Sequence, residues 1–228
     1  MRALISLLFT GGLVFFLFTL MSALELGQAP MLVGQGIQQA ARSEVGAANF
    51  VTSVVLAYRG IDTLGELSIL FAAATSAGLV LGHSDKRMRS EKEAGFILKT
   101  GGDLLFPLLL VVGLYIILHG HQTPGGGFQG GVILAAAFFV PLLARPGSGM
   151  DHGIITFIEG LAGTIFIGIG LMALFQGKEF LQPLLSHGEF ATLMSAGTLP
   201  LLYMAVGMKV GAELAGLLAH LSETEDGQ

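Results

Sequence analysis

The sequence contains no cysteine and no tryptophan, and charged residues make up only 12% of its 228 residues. Without cysteine, this chain cannot form a disulfide or hold a thiolate metal site or an iron–sulfur cluster. Soluble domains carry roughly 25% charged residues, so the low charge and the 53% hydrophobic content exclude an ordinary soluble domain. The net charge is −5, and no basic patch indicates nucleic acid as a partner.

Long apolar runs take the place of the missing charge. A transmembrane helix needs about 20 apolar residues, and six stretches meet this condition: 3–24, 62–82, 103–119, 127–145, 153–175 and 190–218. The first resembles a secretory signal, but its apolar run is longer than the ~7–15 residues of a signal core, so we predict a retained helix. The sequence therefore predicts an all-α, multi-pass protein of the lipid bilayer.

Basic residues are distributed unequally between the two sides of this predicted arrangement. Six spans put both termini on one side, and that side carries most of the positive charge: Arg2, Lys86, Arg87, Arg89, Lys92, Lys99, Arg145 and, less clearly, Lys209. The other side holds only Arg42, Arg59 and Lys178. By the positive-inside rule, both termini face the cytoplasm and the protein lies in the cytoplasmic membrane of the cell.

The charged segment 83–100 also divides the chain. We predict a two-helix unit at 1–82, a cytoplasmic linker at 83–100, a four-helix domain at 101–220 and an acidic tail at 221–228.

The run His119–Gly131, HGHQTPGGGFQGG, lies between two predicted spans on the outer side. Because glycine and proline disfavour helix interiors, we predict a shaped turn built from Pro124, Gly125, Gly126, Gly127, Phe128, Gly130 and Gly131. Non-helical backbone near a bilayer must be buried in protein or face water, so we expect the chain to pack against partners. His119 and His121 lack a third ligand nearby, so we expect no metal site; a pH-sensing role stays open.

A second segment combines charge with a position near the start of a span. If residues 59–66 are helical, Arg59, Asp62 and Glu66 share one face. Ionisable groups at membrane depth are costly and by default suggest an ion path. The alternative is structural, because Thr63-x-x-Glu66 also fits a capping box that closes a helix start.

Three further charged residues lie inside predicted spans. Glu159 stands alone in the fifth span, where we expect it to face water or a neighbouring subunit; a hydrogen bond between helices is the structural alternative. Lys209 and Glu213 are four residues apart and can pair along one helix, or serve an intersubunit proton relay. Gly207-x-x-x-Gly211 on the same helix favours close packing against another helix.

Two of these segments resemble known families. AYRGIDTLGELSIL is similar to the segment that closes the large subunit of Mrp-type cation/proton antiporters, which is a separate small subunit in archaeal membrane-bound hydrogenases. HGHQTPGGGFQGGVILAAA resembles the MnhB (MrpB) family. Together the resemblances cover roughly residues 45–82 and 95–218, so the chain looks like a fusion of the two.

The resemblance implies an accessory, non-catalytic subunit of a multisubunit Na⁺/H⁺ antiporter module. That module would be free-standing or the ion-translocating arm of a respiratory complex such as a membrane-bound hydrogenase. The implied partners are the other membrane subunits of such an antiporter or hydrogenase complex. The chain would bind no cofactor, and Na⁺ or H⁺ would be the transported ion.

Two other functions were weighed against this one. A self-sufficient small transporter is disfavoured because the two units show no inverted repeat, which many transporter folds carry. A membrane hydrolase using His119 and His121 is disfavoured because no third ligand or nucleophile motif accompanies them.

Overall fold

The computed structural model describes residues 2–23, 32–81, 94–145, 151–190, 192–193 and 195–225, and all regular structure in these ranges is helical. Residues 1–37 and 38–228 form two compact units. The all-α prediction is confirmed.

The first unit contains α1 (Arg2–Ala23) and the start of α2 (Leu32–Glu44). Large apolar side chains are exposed along α1, including Phe9, Phe15 and Phe18. A helix that is apolar on all sides must be covered by lipid or by another chain. The sequence predicted only a loop where α2 lies.

The second unit is arranged around its last helix. It consists of α3 (Phe50–Thr52), a π-helical turn (Ser53–Tyr58), α4 (Gly60–Leu81), α5 (Phe96–Leu118), α6 (Gly127–Ala144), α7 (His152–Phe175) and α8 (Leu199–Glu225). Helix α8 packs against α4, α5, α6 and α7, so residues on its several faces meet residues from most of the unit.

Six helices in the described ranges, namely α1, α4, α5, α6, α7 and α8, are long and apolar enough to cross a membrane. This confirms the number of predicted spans. Helix α5 begins at Phe96 rather than at 103, so it includes the end of the predicted linker. The reason is that Phe96, Ile97 and Leu98 extend the apolar run, while Lys99 can extend its ammonium toward the membrane surface.

The predicted boundaries of the last span were wrong at both ends. Helix α8 begins at Leu199 instead of 190, because Gly197 has a positive φ of 61° that ends any helix before it. Pro200 lies in the first turn, where its missing N–H leaves no bond unmade. The helix continues to Glu225, so the first part of the predicted acidic tail is helical.

The glycine run is a turn only in its first part. Residues 119–126 are non-helical, but Gly127, Phe128, Gly130 and Gly131 lie inside α6, so the prediction of a turn was wrong for these four. Glycine disfavours a helix by only about 1 kcal/mol relative to alanine, and close helix packing offsets that cost. Phe128 is half-buried and packs against the core.

The glycines of α6 allow α5 and α8 to approach closely. A Cβ added at Gly130 would lie 2.4 Å from Ile117 Cγ1 and 2.7 Å from the Gly113 carbonyl oxygen of α5. One added at Gly131 would lie 2.8 Å from Val210 Cβ of α8. These separations are shorter than any real Cβ contact, so no side chain fits at either position.

Candidate functional site

Three charged side chains meet where α7 packs on α8. Lys209 Nζ lies 3.2 Å from Glu159 Oε1 of α7 and 3.3 Å from Glu213 Oε2 of α8. The pair along α8 agrees with the spacing in the sequence, and the bond to Glu159 corresponds to the structural alternative for that residue. The side chains are 12%, 20% and 2% exposed for Lys209, Glu159 and Glu213, respectively, so the cluster is largely withdrawn from solvent.

The cluster lies deep in the predicted membrane. Lys209 is ten residues into α8, which at about 1.5 Å per residue corresponds to ~15 Å of a ~30 Å hydrocarbon core. Charges at this depth persist when they pair with one another or face water. Removing Lys209 would leave two carboxylates without compensation, and an uncompensated buried charge costs about 3–5 kcal/mol, whereas neutralising one carboxylate would leave a balanced pair.

The cluster carries more acid than base. With all three groups ionised, two carboxylates and one ammonium leave a net charge of −1. Oε2 of Glu213 has the Lys209 ammonium 3.3 Å away as an ion-pair partner, whereas Oε1 accepts no hydrogen bond from any described residue. The Lys209 ammonium also lies 5.1 Å from the centre of the Phe71 ring of α4.

A cavity of about 200 Å³ adjoins the cluster between α4, α7 and α8. Its lining combines the two carboxylates with other polar and aromatic side chains: Phe71, Thr75, His152, Thr156, Glu159, Glu213 and His220. The rings of His152 and His220 lie 4.9 Å apart, at the start of α7 and near the end of α8. The cavity can hold several waters and leads from that end of the helices to the cluster.

The charged residues near the start of α4 do not join this cluster. Arg59 precedes the helix and pairs with Asp62, and both side chains are largely exposed. Glu66 is exposed on α4, and no described residue bonds to its carboxylate. Helix α4 begins one residue after Arg59, so the helix does not include Arg59, but Arg59 and Asp62 pair as the predicted shared face requires.

The capping-box interpretation of Glu66 was also wrong. Helix α4 begins at Gly60, so Thr63 lies inside the helix rather than at its N-cap. Thr63 is buried, and its hydroxyl donates to the Val55 carbonyl oxygen. Glu66 therefore has no capping role.

The glycine turn, residues 119–126, is fixed by residues from before α4. The Asn49 amide donates to the carbonyl oxygens of Gly120 and Thr123 at 2.9 Å each, and the Thr52 hydroxyl donates to Gly120 at 2.7 Å. Gly125 and Gly126 have φ values of 144° and 133°, which L side chains rarely adopt. The backbone around this turn is thus satisfied by protein, as non-helical backbone near a bilayer requires.

The two histidines of this turn have different surroundings. His121 is fully buried, its Nε2 lies 3.1 Å from the Thr192 carbonyl oxygen, and burial lowers the pKa of its imidazole. His119 stacks on Tyr115. In the described ranges no three metal-ligating side chains come together. The pH-sensing role stays a prediction.

Sequence reasoning missed three features. The contact between Glu159 and Lys209 joins residues 50 positions apart, and the cavity depends on three helices. The third feature is the hydrogen bond that the Tyr58 hydroxyl donates to the Glu44 carboxylate at 2.5 Å. Burial, together with this hydrogen bond, raises the pKa of Tyr58 to about 12.

These observations define an all-α, multi-pass membrane protein with a charged cluster at mid-depth and a glycine turn held by protein contacts. Residues 97–216 match the family described as a domain related to the MnhB subunit of the Na⁺/H⁺ antiporter. The chain belongs to this family.

Three similar proteins extend the match. An uncharacterized protein of Methanocaldococcus jannaschii is 30% identical over 216 residues, covering 83% of this chain and 81% of that protein. A chain of an archaeal respiratory complex, the membrane-bound sulfane sulfur reductase, is 36% identical, with a TM-score of 0.81 over 96% of this chain and 97% of that one. A chain of the Mrp complex from Dietzia sp. DQ12-45-1b is 22% identical and shares the fold, with a TM-score of 0.77 over 98% of this chain and 26% of that one.

Proposed function

We propose that the chain is a non-catalytic, accessory membrane subunit of an Mrp-type Na⁺/H⁺ antiporter module, and that its Glu159–Lys209–Glu213 cluster lies on the ion route. Family membership supports the first part. The observation that carries the second is the position of Glu213, a buried carboxylate in a cluster with a net charge of −1, beside a cavity of about 200 Å³ at mid-membrane depth. Such groups mark ion or proton pathways by default.

The packing beyond the cluster supports an accessory role rather than a self-sufficient transporter. Between the cluster and the glycine turn, Gly127 and Gly131 of α6 are in tight contact with Val206 and Val210 of α8. That interface leaves no space for an ion, so a route that enters from the cavity would continue along another face of α8 or along a neighbouring chain. Exposed Glu66 offers α4 as a surface for such a neighbour, since a carboxylate at membrane depth requires a partner or water.

The host assembly and the orientation belong to the same proposal. The similarity to a chain of the sulfane sulfur reductase supports the ion-translocating arm of a respiratory complex as host. The positive-inside rule supports the cytoplasmic membrane with both termini in the cytoplasm. In that orientation the end of the cavity formed by His152 and His220 faces the cytoplasm.

The division of the chain at the charged linker is likewise proposed. Residues 1–82 would correspond to the closing segment of a large antiporter subunit, and 101–220 to the MnhB-type domain.

Glutamine substitutions in the complete complex test the ion route. Glu213→Gln and Glu159→Gln should each reduce Na⁺-coupled proton transport in membrane vesicles to below about a tenth of wild type, with complex content on a blot nearly unchanged. Glu179→Gln is the matched control, because that carboxylate is exposed in the loop after α7. Wild-type transport by Glu213→Gln would remove the cluster from the ion route.

A further inference from the structure

We propose that Glu213 and Glu159, together with the hydroxyls of Thr156 and Thr75, form a binding site for a single alkali-metal cation, and that Lys209 makes this site selective for monovalent ions. The inference rests on the proposed function and names the ion that occupies its site. It concerns the cavity between α4, α7 and α8, which all four oxygen-bearing side chains line.

The donor atoms fit an alkali cation. Carboxylate and hydroxyl oxygens are hard ligands that suit hard cations, whereas transition metals prefer imidazole or thiolate. Glu213 is buried and lines the cavity; the Lys209 ammonium lies 3.3 Å from its Oε2, while its Oε1 has no hydrogen-bond partner among the described residues. A buried acceptor without a donor is costly, and a cation in the cavity would satisfy it.

The charge of the cluster determines the valence of the cation that can bind there. Two carboxylates and the Lys209 ammonium carry −1, so one monovalent cation makes the site neutral. A divalent ion would leave +1 at mid-membrane depth, where an uncompensated charge is strongly disfavoured. Lys209 lies 3.2 Å from one carboxylate and 3.3 Å from the other, and therefore occupies the place that a second positive charge would need.

Protons compete for the same charge. The titratable groups that face the cavity or contact the cluster are Glu159, Glu213 and Lys209, with His152 and His220 at the far end. A proton on either carboxylate neutralises the −1 that an alkali cation would otherwise balance. Cation and proton thus exclude each other at one site, which is the requirement for exchanging one against the other.

The valence test compares two substitutions of Lys209 in inverted membrane vesicles that contain the whole complex. The cavity end with His152 and His220 would then face the added ions. Lys209→Met leaves a charge of −2, so Mg²⁺ and Ca²⁺ should inhibit Na⁺-dependent transport at concentrations at least about tenfold lower than for wild type. Lys209→Arg keeps the charge and should retain wild-type sensitivity to both ions. Equal sensitivity of all three proteins would overturn the role of Lys209.

A binding measurement tests the site itself and does not depend on the Lys209 variants folding. Radioactive sodium bound to the purified complex at saturation should fall by one ion per complex in Glu213→Gln and in Glu159→Gln, and stay unchanged in Glu179→Gln. If Glu213→Gln stops transport but binds as much sodium as wild type, the ion route stands and the cation site is wrong. If it binds one ion fewer but transports normally, the cation site stands and the ion route is wrong.

Discussion

At the scale of single residues, the intramembrane charges fall into two kinds. Glu159, Lys209 and Glu213 balance one another within the chain except for a single negative charge. Glu66 is exposed on α4 with no described residue bonded to its carboxylate, so its partner must be water or another chain. Charge balance therefore supports the proposed ion site for the first group, and a contact with water or a neighbouring subunit for Glu66.

Glu66→Gln should leave complex abundance normal and sharply reduce Na⁺- or H⁺-coupled transport. An amide has nearly the shape of the carboxylate but cannot ionise or carry charge, and Glu66 has no capping bond to lose. Asp62→Asn is the milder comparison, because it removes only an exposed pair with Arg59, of the type worth about 0–1 kcal/mol. Transport in vesicles, normalised to complex content on a blot, measures both. Wild-type transport by Glu66→Gln would exclude an ion-handling role for this residue.

Acid should destabilise the folded glycine turn, residues 119–126, by protonating His121. Its folded-state pKa is lowered by burial, so protonation favours the open turn. The neutral His121 imidazole stabilises the folded turn fully above its ordinary pKa of about 6.5. This stabilisation is lost as the pH falls below that value toward the lower folded-state pKa. Hydrogen exchange of residues 119–126 in the complex, corrected for intrinsic rates, should be faster at about pH 5.5 than at about pH 8. His121→Gln should abolish the difference; an equal pH effect in that variant would assign it to another group.

At the scale of elements, glycine determines how closely the helices approach. Gly113 of α5, Gly130 and Gly131 of α6 and Gly207 of α8 all lie at contacts too short for a side chain. Because helix association in lipid depends on close packing rather than on the hydrophobic effect, these glycines let α5, α6 and α8 approach closely enough to attract one another.

Gly130→Val should destabilise the assembly, because its Cβ would overlap Ile117 Cγ1 and the Gly113 carbonyl oxygen. Overpacking typically costs about 1–3 kcal/mol, and more where backbone must move. Gly126→Val should act similarly through its φ of 133°. Complex content after mild detergent extraction is the measurement. The matched control is Gly168→Val in α7, whose Cβ would meet nothing within 4 Å; equal content in all variants would contradict the packing account.

Periodicity and length were sufficient to predict the six spans, but the boundaries depended on tertiary structure. The apolar stretch before Leu199 looks helical, yet Gly197 at positive φ and buried Ser195 and Thr198 make it a loop. Gly127–Gly131 looks like a loop, yet packing makes it helical. The Lys209–Glu213 pair follows from local spacing, whereas the partner of Glu159 depends on how α7 packs on α8, which no local pattern encodes.

At the scale of the whole molecule, much apolar surface remains uncovered by the chain itself. Most apolar side chains of α4 are exposed within the second unit, including Ile61, Ile69 and Phe71. Lipid can cover apolar side chains, but it cannot satisfy exposed Glu66. Water or a partner subunit must therefore lie beside Glu66 on α4.

The chain expressed alone should be unstable or aggregate in detergent, since its partner-facing surfaces would then have no cover. Size-exclusion chromatography of the isolated chain, run beside the complete complex in the same detergent, measures this. A stable, monodisperse monomer would contradict the requirement for partners.

Sodium-driven proton flux into proteoliposomes tests directly whether the chain works only within the complex and whether its charged cluster lies on the ion route. Three preparations are compared at equal protein content: the complete complex, the complete complex with Glu213→Gln, and the chain alone. The account predicts flux from the complete wild-type complex only. Flux from the chain alone would show a self-sufficient transporter, and full flux from the Glu213→Gln complex would show that the cluster is not on the ion route; either result would contradict the account.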